Sequence, residues 1–357
     1  PATHGCVPHP LTSCYSAAMT RANTHRPVKI WLLTVFTMVL LMTLIGGITR
    51  LTGSGLSMVQ WHPLMGAIPP IGEAAWLDVF AKYQQTPQYQ QVNDWMTLAD
   101  FQRIFFWEYL HRLFGRTIGI VVLVPWVVLI AMRRIDLRLG LKTLVMFVLG
   151  GLQGLLGWYM VKSGLVDAPH VSHFRLAAHL LLAFAVAQYV LWIYFGLTPG
   201  RGQRVAGGLI VGAWSLVCLV VVQVVWGAFM AGLRAGHMSA TFPQMNGQWL
   251  PGAFVDAELG WMISTVSAPM MVHWVHRAVA WILLLAFAGF AAWALRAAPY
   301  RLRFPTLVLT ALVALQFGLG VATVMLHVPI VIAVAHQGVA LLLLSSLTWW
   351  LMRARSS

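Results

Sequence analysis

The chain has 357 residues, of which 59% are hydrophobic and only 9% charged, with seventeen tryptophans. That balance excludes an ordinary soluble domain and points to a polytopic membrane protein. The net charge of +14 would suit nucleic acid if it were gathered in one patch, but its spread along the chain follows membrane topology instead.

Residues 1–28 form a polar tail, expected to be cytoplasmic and disordered, with no signal-peptide core of its own. The part before Met19 is given no function. Eight apolar stretches follow, at about 29–50, 104–132, 141–161, 172–197, 207–233, 269–296, 304–326 and 329–352. Each is long enough to cross a hydrocarbon core of about 30 Å as a helix. They are too long and too uniformly apolar for β-barrel strands, so the expected fold is all-α with eight transmembrane helices. Two outer segments are long, 51–103 and 234–268, and the other connections are short. Within the first, "EAAWLDVFAKYQQ" is amphipathic and predicts a short helix on the membrane surface. "TLADFQRIF" predicts a capped helix start, with Thr97 and Asp100 in N-terminal positions.

With the N-terminus inside, fourteen of the 23 Lys and Arg residues fall on the inner side, six fall outside, and three lie within helices. Seven of the nine acids fall outside. This bias places both termini in the cytoplasm, consistent with a bacterial inner membrane. Cys6 and Cys14 lie in the tail and Cys218 in the fifth span, so the outer loops hold no cysteine pair and no structural disulfide is expected.

An internal repeat divides the chain. "EYLHRLFGR" (108–116) matches "HWVHRAVAW" (273–281), "LQGLLG" (152–157) matches "LQFGLG" (315–320), and "AAHLLLAF" (177–184) matches "VAHQGVAL" (334–341). The offsets of 165, 163 and 157 residues preserve order and spacing. Two four-helix bundles are expected, 29–200 and 201–357. An even number of spans per half gives both the same orientation, with the repeat axis along the membrane normal.

Spans two, four, six and eight each carry a histidine about seven residues in from the outer side: His111, His179, His276 and His336. At 1.5 Å per residue, all four lie roughly 10 Å below the outer ends. One intramembrane histidine can simply hydrogen-bond a neighbouring helix. Four at matched depth, repeated by a duplication, are better read as ligands. Zinc would ask for three or four protein donors, whereas one histidine pair per half suits a haem between two axial imidazoles. Gly154, Gly157, Gly318 and Gly320 on spans three and seven would admit a flat macrocycle, although small residues also serve helix packing. Arg112 and Arg277 each follow a ligand histidine and would pair haem propionates at the outer rim, unless they only snorkel. Arg116 suits either role. Gln153 and Gln316, within the repeated motif, join Arg112 and Arg277 as candidate cofactor-binding residues. Glu108, three residues before His111, has His273 as its counterpart, so one half carries an acid that the other lacks. An intrahelical Glu108–Arg112 pair is the plain alternative to a catalytic role, and the two are compatible. The remaining histidines are in the tail (His4, His9, His25), outer loops (His62, His237) or span ends (His170, His173, His327), where interfacial roles are the default.

The chain resembles the haem A synthases of the mitochondrial and alphaproteobacterial branch. The resemblance covers nearly all of 29–352 and is carried by "GGITRLTGSGLSMVQWHPLMGAIPP", "FFWEYLHRLFGR", "GGLQGLLGWYMVKSGL", "RLAAHLLLAF", "TFPQMNG", "HWVHRAVAW" and "AHQGVALLLL". Another branch carries a cysteine pair in the outer loops, which is missing here, so no redox role for such a pair is carried over. The resemblance implies oxidation of the C8 methyl of haem O to a formyl group through successive hydroxylations. It implies haem b on His276 and His336, substrate haem O on His111 and His179, and a requirement for Glu108. It also implies a haem O-producing enzyme upstream and an electron donor; a homo-oligomer is a further expectation. Geometry alone leaves open a dihaem b-type cytochrome for electron transfer. A transporter with repeated halves would show broken helices at mid-membrane, and the sequence shows none.

Overall fold

The structure is a computed structural model that describes residues 25–60, 65–166, 169–198, 205–252 and 255–355. The tail with Cys6 and Cys14, and also His62, Arg201 and Arg204, lie outside the described residues.

Ten α-helices form. In chain order they are α1 (Arg26–Leu51), α2 (Glu73–Gln84), α3 (Leu98–Ala131), α4 (Leu137–Val166) and α5 (His173–Gly196). They continue with α6 (Gly207–Gly232), α7 (Gly260–Ser267), α8 (Pro269–Ala297), α9 (Arg303–Met325) and α10 (Ile330–Arg355). All but α2 and α7 are long and apolar enough to cross a bilayer, which makes eight spans among the described residues. The chain is an integral membrane protein. Helices suit this setting because each satisfies its own backbone hydrogen bonds where water cannot.

The surface helix α2 and the start of α3 follow the expectation. Thr97 caps α3 in a reciprocal capping box with Asp100, so the helix begins at Leu98 and extends outward beyond the apolar stretch that starts near 104. At 1.5 Å per residue its 34 residues run to about 51 Å, longer than a hydrocarbon core. The extra turns continue outward as a platform for α2. Trp76 packs edge-on against Phe105 at 5.0 Å, and Phe80 and Tyr83 cover Phe101 at 5.1 and 5.0 Å. The buried Tyr83 hydroxyl donates to Gln88 Oε1 at 3.0 Å and accepts from Asn93 Nδ2 at 2.7 Å. Burial raises this phenol above the ordinary tyrosine value; the bond from Asn93 opposes that, and the charge of Glu108 adds to it. The short helix α7, in the second long outer segment, had no sequence expectation.

The spans pack in two rings. In the first, α1 packs on α3, α3 on α4, α4 on α5, and α5 back on α1. In the second, α6 packs on α8, α8 on α9, α9 on α10, and α10 back on α6. The neighbour pattern of the second ring repeats that of the first. Between rings, α5 meets α6, α10 meets α1, and α5 meets α10.

The main buried cluster joins the N-terminal part of α1, α6 and α9 to the C-terminal part of α3, α5, α8 and α10. These are the ends that the charge bias places inside. Trp350 is completely buried there, and its indole donates to Thr306 Oγ1 at 3.0 Å. The four histidines lie in the opposite part of the rings, outside that solid core.

Candidate functional site

Each of the four histidines sits against a glycine of a neighbouring helix. A Cβ built on Gly46 of α1 would lie 3.0 Å from His111 Cε1, and one on Gly157 of α4 would lie 3.1 Å from His179 Cε1. In the second ring the corresponding distances are 3.3 Å for Gly227 of α6 to His276 and 2.9 Å for Gly320 of α9 to His336. Only a residue without a side chain lets each imidazole seat so deeply against the next helix.

The histidines act in pairs. An electrostatic interaction couples His111 with His179, and another couples His276 with His336. Their helices, α3 with α5 and α8 with α10, stand at opposite corners of each ring and are not packed neighbours among the described residues. Each pair thus stands on opposite corners of its ring, close enough to interact, with the remaining two helices between them. Nδ1 of His111, His179 and His276 is buried without a hydrogen-bond partner. His336 Nδ1 reaches the Gln316 backbone oxygen at 3.1 Å.

Three of the four histidines have a glutamine one helical turn before the opposing glycine. Gln153 Nε2 donates to the His179 carbonyl at 3.0 Å and lies 3.3 Å from the ring Nε2. Gln223 does the same for His276, at 3.1 and 3.3 Å. Gln316 Nε2 lies 3.4 Å from His336 Nε2. The sequence reading found Gln153 and Gln316 but missed Gln223, Gly46 and Gly227. The signal was available: "QVVWG" (223–227) has the same Gln-x-x-x-Gly spacing as "QGLLG" and "QFGLG". At His111 the pattern changes, because "MTLIG" (42–46) puts Met42 where the other sites have glutamine. Gly154 and Gly318, also expected to face the site, have no atom within 4 Å of a built Cβ.

The two arginines tie each histidine-bearing helix to the loop above it. Arg112 donates to the carbonyls of Met58 at 2.9 Å and Gln60 at 3.3 Å. Arg277 donates to those of Ser239 at 3.2 Å, Thr241 at 2.8 Å and Gln244 at 3.3 Å. Met58 and Ser239, like Gln60 and Thr241, are 181 residues apart, the same offset as Gly46 and Gly227. The repeat thus extends into the outer loops.

Glu108 is buried at 3% exposure and fully partnered. Its Oε1 accepts from Arg112, and its Oε2 accepts from Ser57 Oγ and the Met58 backbone, each at 2.7 Å. Three donors, one of them a guanidinium and two from the loop, thus converge on Glu108 one turn from His111. The second-ring counterpart, His273, is completely buried and accepts from Arg277 Nε at 2.9 Å. That bond requires a free lone pair on His273 Nε2, so this half holds a neutral imidazole where the other holds a carboxylate.

Other expected residues fall elsewhere. His173 packs on Phe174 and Phe229 at a helix start. Cys218 is exposed and carries no disulfide. Among the described residues, no three His, Cys, Asp or Glu side chains gather into a closed metal shell. Two paired imidazoles can ligate one metal ion from opposite sides, and a buried carboxylate beside one pair can exchange a proton.

The family model COX15-CtaA, described as cytochrome oxidase assembly protein, matches residues 29–348. Among curated relatives, a protein of Nitrosomonas eutropha named heme A synthase is 43% identical over 92% of this chain and 93% of its own length. One of the same name from Nitrosospira multiformis is 43% identical over 91% and 92%. Another, from Rhodospirillum centenum, is 42% identical over 92% and 89%. A match of this length, running through both rings and all four histidines, shows that the chain belongs to the haem A synthase family.

Proposed function

We propose that the chain oxidises the C8 methyl of haem O to the formyl group of haem A, with the substrate bound in the first ring (29–200) and haem b in the second (201–357). The observation that carries this is the unequal pair of sites: equivalent histidines and glycines, but a buried carboxylate beside only one of them. The residues present fit a porphyrin group. Four glycines leave room for the four imidazoles, and three of those imidazoles have a buried Nδ1 without a partner. His276 and His336 would hold haem b, which supplies a redox centre when bound. His111 and His179 would hold the substrate. Gln153, Gln223 and Gln316 keep the imidazoles of His179, His276 and His336 in place. Arg112 and Arg277 lie at the rim, where their guanidinium groups would also meet propionates. Glu108 would take up or release protons at its carboxylate as the neighbouring methyl is oxidised.

The electron-transfer alternative is not favoured, since the relatives named heme A synthase cover about nine-tenths of the chain. Taking the methyl to a formyl group removes electrons from that carbon and adds oxygen, so this chemistry requires an oxidant and an oxygen source besides a haem O-producing enzyme; an electron donor joins them where the oxidant is dioxygen. The test is the haem content of membranes supplied with haem O. With this protein they should contain haem A, and without it only haem O and haem b; unchanged haem composition would refute the assignment.

The charge bias supports an inner-membrane protein with cytoplasmic termini and sites toward the periplasm. A reporter fused after residue 85 should behave as exported and one after residue 138 as cytoplasmic. The reverse pattern would invert the orientation.

A further inference from the structure

The seam between α3 and α4 differs from its repeat counterpart between α8 and α9. In the second ring, Trp281 of α8 meets Phe317 of α9 with centroids 4.8 Å apart. Phe242, from the outer loop, packs on both, 5.9 Å from Trp281 and 6.0 Å from Phe317. The repeat offsets of 165 and 163 residues place Arg116 on α3 and Gly154 on α4 at the positions of Trp281 and Phe317. Among the described residues, a Cβ on Gly154 meets no side chain of another helix within 4 Å, so none of them bridges the seam at that point. Among the same residues, α3 also packs on α4 less extensively than α8 packs on α9. The seam opens beside the first histidine pair: Gly154 adjoins Gln153, which bonds the His179 carbonyl, and Arg116 lies just over one turn beyond His111.

A synthase must admit and release a porphyrin in every turnover, whereas its resident cofactor stays in place. A porphyrin is flat and largely apolar, with carboxylates at one edge, so it partitions into a bilayer and can pass between helices. Glycine leaves the width for the ring, and a guanidinium attracts the carboxylates. Three packed aromatic rings at the equivalent seam deny that route.

We propose that the α3–α4 seam, at Gly154 and Arg116, is the lateral passage by which the porphyrin substrate enters from the bilayer and the product leaves. The Trp281–Phe317–Phe242 cluster seals the second site against the same exchange. This rests on the assignment of substrate to the first ring and cofactor to the second.

The test installs one seam in the other. Purified Gly154→Phe/Arg116→Trp protein is loaded with haem O from phospholipid vesicles, and haem O release is followed by transfer to excess apomyoglobin. Entry and release should both slow by at least about tenfold with affinity little changed, because a closed passage raises one barrier in both directions. Haem b content should match wild type. In the reciprocal Trp281→Arg/Phe317→Gly protein, haem b should escape to apomyoglobin about tenfold faster. Wild-type exchange in the first variant overturns the proposal, as does a loss of affinity with an unchanged entry rate, which would make these positions pocket wall. If the first variant does not fold, unchanged haem b escape in the reciprocal one overturns it alone. If wild-type protein takes up no haem O that His179→Ala removes, the site assignment fails first and the passage with it.

Discussion

The two rings share a scaffold and differ at a few positions that carry chemistry. Both seat a pair of imidazoles against glycines, and both clamp the outer loop with an arginine directly after a histidine. They part at Glu108 against His273, Met42 against Gln223, and Gly154 against Phe317. The first ring holds a buried carboxylate and is the less tied and more open one. The second has a neutral imidazole in its place, holds each of its inner imidazoles with a glutamine, and is closed by aromatic rings. The repeat gives two like cradles, and the handful of positions at which they differ is what the proposed division between turnover and retention rests on.

The largest expected effect separates the cradles outright. His276→Ala and His336→Ala should each remove nearly all low-spin b-type absorbance from purified protein, while His111→Ala and His179→Ala leave it in place. Full retention in both second-ring variants would collapse the distinction between cofactor and substrate sites.

Next in size is the carboxylate. Glu108→Gln keeps shape and hydrogen bonding but removes charge, so haem b content should hold while haem A formation falls by at least about tenfold. Haem O or a partly oxidised haem should accumulate. Normal haem A output would reduce Glu108 to an anchor for Ser57, Met58 and Arg112, and so would a failure to fold.

The smallest effect compares the clamps. Arg112→Ala leaves Glu108 buried without its cation, which costs about 3–5 kcal/mol. Arg277→Ala leaves a neutral His273 without its donor, which costs about 1–3 kcal/mol. Unfolding of the two variants in detergent should rank them in that order. Equal losses would mean that the loop contacts, and not the buried charge, dominate both clamps.

Much of this was legible in the sequence. Hydropathy located all eight spans, the duplication aligned the four histidines, and the Thr97–Asp100 cap was visible from residue type and spacing. Hydropathy alone put the apolar part of α3 at 104, because Leu98–Arg103 is too polar to be read as membrane, yet it is helical from the Thr97 cap onward and α2 covers it. Its extra turns also put His111 deeper in its helix than the other three histidines are in theirs, so equal distance from a helix end was a poor measure of depth. Gln223 escaped notice because its repeat partner is Met42, which leaves no match at the first copy to flag it.

What the sequence by itself determined is the set of helices and the repeat, since a helix in a bilayer must satisfy its own backbone and needs no partner to be recognised. Only the tertiary structure decided who faces whom. Glu108 meets Ser57 and Met58 from 50 residues or more upstream. Gly46 backs His111 from another helix, and Gln337 reaches across the rings to the Thr43 carbonyl at 2.9 Å. Lipid tails are as apolar as the side chains they replace, so periodicity along a membrane helix scarcely marks which face is buried. Helix contacts are chosen instead by close packing and a few polar bonds, and those can be read only when the helices are placed side by side.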